Sequence, residues 1–422
     1  MAITALKYGS KSLQIELPAH VLTTTSQRDL PEPANEIRRA LAHPLGAPPL
    51  AKLIRPGEHV AIVTSDITRY TGSELYLPIL VEELNRCGIA DYDIEIIVAL
   101  GIHRKQTSKE HQKILGALYG RIAVHDHECD DREQLIDLGH TSSGLPVQIN
   151  RRVMSADRVI VTGTIGLHYF AGFGGGRKSL VPGVASRETC MATHFLIFNP
   201  PEQGGRNPKA CTARLDGNPV HQAILEAAQS VKPDFLLNTV LTPDKQIARV
   251  FCGDLQQAHL AGCELARGLY TAPMQQAADL AVVSCGGHPK DINFIQAHKA
   301  LDYGVQAVRP GGTLILLAAC PDGFGNSTFF DWFNYEDLDM FEKALRSRYE
   351  INGQTALSTL AKARTWRVIL ISEFNREQTS KMGMEKADSL DEALQMAYKQ
   401  LPQNPQVVVI PDGGTILPVI VP

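Results

Sequence analysis

The run from Arg158 to His194 reads RVIVTGTIGLHYFAGFGGGRKSLVPGVASRETCMATH. Its opening, Arg158–Val161, is a short β-branched run of the kind that fills a strand buried on both faces. Thr162 to His168 lead away from it into a glycine-rich loop. Ser186 then sits where an N-cap would start a helix reaching about Phe198. The same order recurs upstream. HVAIVT (residues 59–64) precedes Ser65-Asp66-Ile67-Thr68-Arg69, and apolar residues then fall at helical spacing from Leu75 to Cys87. IEIIVAL (residues 94–100) precedes Gly101-Ile102-His103-Arg104. Strand alternating with helix predicts βαβ units and a largely parallel sheet.

Downstream, Phe235–Leu241 and Ile247–Phe251 flank Thr242-Pro243-Asp244-Lys245-Gln246 and read as a hairpin, an antiparallel patch on that sheet. A helix follows to about Tyr270, and residues 271–274 (TAPM) read as a linker. The alternation then restarts with LAVVS at 280–284, a Cys285-Gly286-Gly287 turn and a helix from about Asp291 to Val308. Strands at 313–319, 367–372 and 407–410 complete it. The expected fold is α/β, with two α/β domains of largely parallel sheet spanning 1–270 and 271–422. Asp66, Arg69, His103, His168 and the Gly286-Gly287 turn all follow the carboxyl end of an expected strand, where open α/β sheets bind ligands. The active site is therefore expected in the cleft between the domains.

The 422 residues are 44% hydrophobic and 20% charged, with a net charge of −4, which excludes disorder and gives no basic surface for nucleic acid. No apolar stretch approaches the roughly 20 residues that cross a bilayer, and the N-terminus has no signal-peptide core. A cytoplasmic enzyme is expected, without nucleic-acid or membrane partners. The 8 cysteines form no CxxC pair and read as small buried hydrophobes.

Gly172 to Ser179 superficially look like a P-loop, but Arg177 stands where that motif needs glycine before Lys178. Glycines still allow close backbone approach to a ligand, and successive N–H groups can cradle an anion. Cys190 and His194, four apart, share a helix face and could form a weak metal pair. His125-Asp126-His127-Glu128-Cys129 offers metal-ligand residue types, yet it adjoins an acidic run and reads better as an exposed loop.

Taken together, GTIGLHYFAGFGGGRKSLVPGV, the preceding DITR and GIHR and the following ETCMATH resemble the nickel-dependent lactate racemase family, which includes other 2-hydroxyacid racemases and epimerases. The resemblance spans nearly the whole chain. It implies nickel held in a nickel-pincer nucleotide, a pyridinium-3,5-bisthiocarboxylic acid mononucleotide, and enzymes that make this cofactor as partners. It implies a lysine tether at Lys178, a nickel ligand at His194, and acid–base histidines at His103 and His168. Asp66 and Arg69 fall on a cofactor-binding DxTR motif. Lys299 and Gln296 fall on substrate-contacting positions. Ile295 stands where the family pattern has a tyrosine, and residues 353–357 lack an expected tryptophan. The implied substrate is thus lactate or a related small 2-hydroxyacid.

The chemistry suits these residue types. Proton abstraction at C2 is hard beside a carboxylate, whereas removal of hydride leaves a neutral ketone. A cofactor must take the hydride and a base the hydroxyl proton. Two histidines on opposite sides of the substrate serve the two hands, since imidazole titrates near neutrality. Arg69 and Lys299 can clamp the carboxylate. The phosphate of the cofactor suits either the Gly174-Gly175-Gly176 turn or the N–H groups near Asp66 to Arg69. Competing readings are a dehydrogenase-like oxidoreductase, which lacks a strand-linked GxGxxG here, and a non-catalytic small-molecule or metal-binding protein.

Overall fold

The computed structural model describes residues 3–24 and 29–421. It divides into two compact units: Ser26–Leu269, and Met1–Thr25 together with Tyr270–Pro422. Each is a mixed α/β unit built on a six-stranded sheet.

In the unit Ser26–Leu269 the strand order is Ile247–Gly253, Phe235–Leu241, Arg158–Ile165, Val60–Ser65, Ile94–Ala99, Ala123–Asp126. All neighbours are parallel except the first pair, the hairpin read from sequence. The strand that begins RVIV continues to Ile165. Helix Ser73–Arg86 lays Leu77, Leu80, Val81 and Leu84 on Ile62 and Ile96, a face set by apolar residues three and four apart. The chain starts at Val60–Ser65 and moves outward to Ala123–Asp126. It returns to place Arg158–Ile165 on the other side. Strand order thus reverses between Val60–Ser65 and Arg158–Ile165, and a crevice opens past their carboxyl ends.

The other unit has the order Glu385–Ala387, Arg367–Ile371, Val308–Leu317, Ala278–Ser284, Val407–Ile410, His20–Val21, all parallel. Its helix Phe294–Gly304 is shorter than the sequence spacing implied, because a 3-10 turn, Val305–Ala307, replaces the last turn.

Residues before 26, placed by sequence in the first domain, belong to this unit. His20–Val21 adds an edge strand beside Val407–Ile410. The hairpin Ile3–Tyr8/Lys11–Glu16 buries Leu6 and Ile15 against Leu280 and Val282. Thr271–Met274, read as a linker, pairs parallel with Leu417–Ile420. Pro273 is tolerated there because this two-stranded sheet has free edges. Among the described residues, no helix is long and apolar enough to cross a membrane.

Candidate active site

The loop after Val60–Ser65 turns back at Asp66, where the Arg69 N–H donates to the Asp66 carbonyl at 3.1 Å. Asp66 is buried, and both its oxygens are used. Oδ1 accepts from Thr68 Oγ1 at 2.8 Å, and Oδ2 meets His103 Nδ1 at 2.7 Å. A carboxylate only accepts, so Nδ1 carries the proton and the half-exposed His103 keeps a lone pair on Nε2. Arg69 makes no ion pair among the described residues, and its guanidinium is exposed. The obvious structural role for this arginine, pairing with Asp66, is not taken up: Thr68 and His103 engage that carboxylate instead.

His168 closes the two-stranded hairpin Leu167–His168/Gly172–Phe173. Its Nδ1 accepts from the Ala171 N–H at 3.3 Å, so its neutral ring carries the proton on Nε2. The two histidines thus rest in opposite tautomers, one with a free Nε2 lone pair and one with an Nε2–H.

Phe170, fully buried, gathers three candidates that the sequence scatters. Its ring lies 4.4 Å from the His168 ring, 5.2 Å from the His194 ring and 5.7 Å from Lys178 Nζ. Sequence reading noted Phe170 in the loop but gave it no task. Lys178 stands beside Arg69 and Arg177. Desolvation, reinforced by those two cations, holds its amine well below the usual lysine range. A neutral amine is a nucleophile, an ammonium is not.

His194 lies on helix Arg187–Phe195, capped by Ser186, whose side chain accepts from the Thr189 N–H. Its Nδ1 donates to the Cys190 carbonyl at 2.8 Å, the ordinary helical i−4 acceptor, so Nε2 bears the lone pair. Desolvation first, then the charge of Lys178, pulls it down to about 4. It is neutral at pH 7 and fit to ligate a metal. Cys190 is held as a thiol, pushed up to about 11 by burial, with its Sγ 3.9 Å from His194 Nδ1. His103, Arg69 and Lys178 all act electrostatically on His194. The structure therefore brings Asp66, Arg69, His103, His168, Lys178 and His194 to one crevice in the first unit.

The glycine turn is different from its sequence reading. The Gly174 N–H donates to the Gly166 carbonyl at 2.8 Å, and the Gly176 N–H to Asn238 Oδ1 at 2.7 Å. Two of the three N–H groups are spent inside the fold and cannot cradle an anion. The glycines serve close packing: a Cβ on Gly175, whose φ is +113°, would lie 2.7 Å from His259 Cδ2, and one on Gly176 would lie 2.5 Å from Leu236 Cδ1. Room exists instead beside the Asp66–Arg69 loop, where a cavity of about 420 Å³ is lined by Asp66, Ile67, Arg69, Thr71, Ser73 and Lys113. His127, read as part of an exposed loop, is buried. Its Nε2 donates to the Ala185 carbonyl at 2.9 Å and its Nδ1 accepts from Asn150 at 3.0 Å.

Gln296, Lys299 and Ile295 lie in the second unit on helix Phe294–Gly304. Lys299 Nζ donates to Gln296 Oε1 at 3.0 Å, so the two do share a face. Ile295 is partly exposed.

Two family models cover most of the chain: the lactate racemase N-terminal domain matches residues 8–205, and the lactate racemase C-terminal domain residues 274–421. This chain belongs to the lactate racemase family. It is 32% identical to the lactate racemase of Thermoanaerobacterium thermosaccharolyticum, over 99% of each protein. It is 34% identical to that of Lactiplantibacillus plantarum, over 89% of each. The solved lactate racemase apoprotein of T. thermosaccharolyticum superposes with a TM-score of 0.88 at 30% identity, covering 99% of this chain and 100% of that one. A Thermotoga maritima protein shares the fold, with a TM-score of 0.65 at 19% identity over 92% of this chain and 98% of that one.

Proposed function

We propose that this protein is a racemase inverting C2 of lactate or a related small 2-hydroxyacid, by transfer of the C2 hydrogen as hydride. The observation that carries this reading is the pair of histidines on separate strand ends, each ring held at its Nδ1. One is oriented by Asp66, the other by the backbone of its own hairpin. His103 Nε2 takes the C2 hydroxyl proton of one hand, and the adjacent Asp66 carboxylate stabilises the imidazolium formed. His168, first protonated by solvent to its imidazolium, returns the Nε2 proton to the carbonyl oxygen after the planar ketoacid has presented its other face, and is left neutral. The opposite direction uses them in reverse order, and proton exchange with solvent resets both. Arg69, without an ion-pair partner of its own, holds the carboxylate. Lys299 and Gln296 are proposed to complete substrate binding.

The residues fit a nickel-pincer nucleotide. Lys178, whose amine is held well below the usual lysine range, would tether it, and His194 offers one neutral imidazole. Among the described residues no group of three or more His, Cys, Asp or Glu could hold a metal ion. A metal at His194 must therefore bring its other ligands with it, as a pincer complex does. The Asp66–Arg69 loop and the cavity beside it would hold its phosphate, with the Arg69 guanidinium as the cation and Asp66 shaping the loop, since Gly174 and Gly176 have no N–H to offer. When bound, the cofactor supplies the two-electron acceptor for the C2 hydrogen. The expected surroundings are cytoplasmic, and enzymes that make the cofactor are expected partners.

Single replacements His103→Asn and His168→Asn test the reading. Each should cut turnover on both enantiomers by about a hundredfold or more, the scale of general acid–base catalysis. A variant within twofold of the parent would remove that histidine from the reaction.

A further inference from the structure

Beneath the hairpin that carries His168 lies a buried polar cluster whose one link to the proposed chemistry so far is the charge of Arg177 near Lys178. Arg177 is fully buried, and among the described residues no carboxylate pairs with it. Its Nη2 donates to the Phe173 carbonyl at 3.2 Å, to the Ala171 carbonyl at 3.5 Å and to His221 Nδ1 at 3.1 Å. Its Nε and Nη1 make no hydrogen bond. His221, on helix Pro219–Ser230, stacks on His259 from helix Gln257–Tyr270 at a centroid distance of 6.2 Å. His259 Nε2 donates to the Gly174 carbonyl at 2.8 Å. Asn218, the cap of the first of these helices, donates to the Phe170 carbonyl at 2.9 Å. The carbonyls of Phe170, Ala171, Phe173 and Gly174 are thus all gripped from below by buried side chains.

Stability alone does not explain Arg177. A buried cation without a counter-ion, and with its three Nε and Nη1 N–H groups unpartnered among the described residues, is costly to fold around, and an apolar residue of like volume avoids that cost. Burial pulls its pKa down only to about 10, so the charge is present at pH 7. What the guanidinium does achieve is geometric. One planar group spans two carbonyls on successive turns of the hairpin and ties them to His221, and the next residue in the chain is Lys178.

We propose that Arg177 is a positioning residue, whose grip on the Ala171 and Phe173 carbonyls and on His221 fixes the hairpin presenting His168 beside Lys178. The proposal rests on the assignment of His168 to acid–base chemistry for its kinetic part, but not for its structural part.

Arg177→Met and Arg177→Lys separate the two. In the cofactor-free protein, Arg177→Met should leave the melting temperature unchanged or raised, while the amides of residues 171–176 exchange about tenfold faster or more. Arg177→Lys, which keeps donors for the carbonyls, should restore slow exchange in part. In protein made with the cofactor, kcat of Arg177→Met should fall about tenfold or more with KM for lactate within twofold, the signature of a misplaced group that acts in the transition state. His221→Phe should show the same exchange change in milder form. Unchanged exchange in Arg177→Met would overturn the proposal. So would a variant that fails to fold or melts well below the parent, since Arg177 would then be a structural residue. If the parent protein racemises nothing, the reading of the active site fails, while the exchange arm still decides the role of Arg177.

Discussion

Asp66→Asn is a small change with a large expected effect. The substitution keeps shape and volume, and Asp66 is buried, so the loop should hold. It removes a charge 2.7 Å from His103 Nδ1. Hydrogen bonds to charged groups contribute about 1.5–3 kcal/mol and neutral ones about 0.5–1.5, so the ground-state loss is near 1 kcal/mol. A further loss arises when His103 becomes an imidazolium, because the amide gives that charge no counter-ion. His103 is half-exposed, so solvent screens this part to about 1–2 kcal/mol. Asparagine also has one oxygen where aspartate has two. If that oxygen stays on Thr68, the amide N–H₂ faces His103 and forces the tautomer without an Nε2 lone pair. The ground-state loss is common to both states, so the charge part sets the barrier and predicts a kcat lower by about 5- to 30-fold at 1.4 kcal/mol per decade. Initial rates from each enantiomer, normalised to bound nickel, measure it. Thr68→Val, which leaves the charge in place, should lose far less. An Asp66→Asn enzyme within twofold of the parent would refute the orienting role of Asp66.

Intact-protein mass spectrometry should find an adduct of nucleotide size on the parent that Lys178→Ala lacks; equal adducts would refute the tether. His194→Ala should lose nickel affinity by about tenfold or more, read as metal content after gel filtration, and full retention would move the ligand elsewhere. The cofactor-free protein should lose stability in acid through His127, His221 and His259, all depressed mainly by desolvation, with His221 down to about 3. Unfolded imidazoles bind protons below about 6.5 while these do not, so stability is full above that pH and falls as pH drops toward the folded values. At pH 5 His221 alone accounts for about 2 kcal/mol. Urea titrations from pH 7 to 5 should show this, and His221→Phe should lower the slope by about one proton; an unchanged slope would contradict the neutral burial of His221.

Strand runs and strand-end residues were legible because period and position are local properties. HVAIVT, IEIIVAL and RVIV each became a buried central strand, and Asp66, His103 and His168 each lay beyond a strand end. Pairing partners were not legible. Leu6 and Ile15 alternate like any surface hairpin, and only the tertiary fold shows that they seal the core of the distant unit. The glycine run misled because composition shows that a backbone is accessible to close approach without showing by what. Here Leu236, His259 and Asn238 arrive first. Arg177, His221 and His259 went unread as a cluster. His259 and Cys263, four apart on one helix and with Sγ 3.4 Å from Nε2, gave the same spacing signal as Cys190 and His194. Without a neighbouring motif that signal does not stand out from ordinary core packing.

On the proposed mechanism His103 and His168 move hydroxyl protons while the C2 hydrogen never passes through a side chain. Imidazole protons exchange with solvent, so a C2 proton carried by either histidine would be replaced by deuterium in heavy water. Enantiopure L-lactate, incubated in deuterium oxide with protein made alongside the cofactor-synthesis enzymes, decides the matter by NMR and chiral chromatography of the product. D-lactate that retains protium at C2 is expected. Extensive deuterium at C2 of the product, or no inversion of lactate or of any related 2-hydroxyacid, would contradict it.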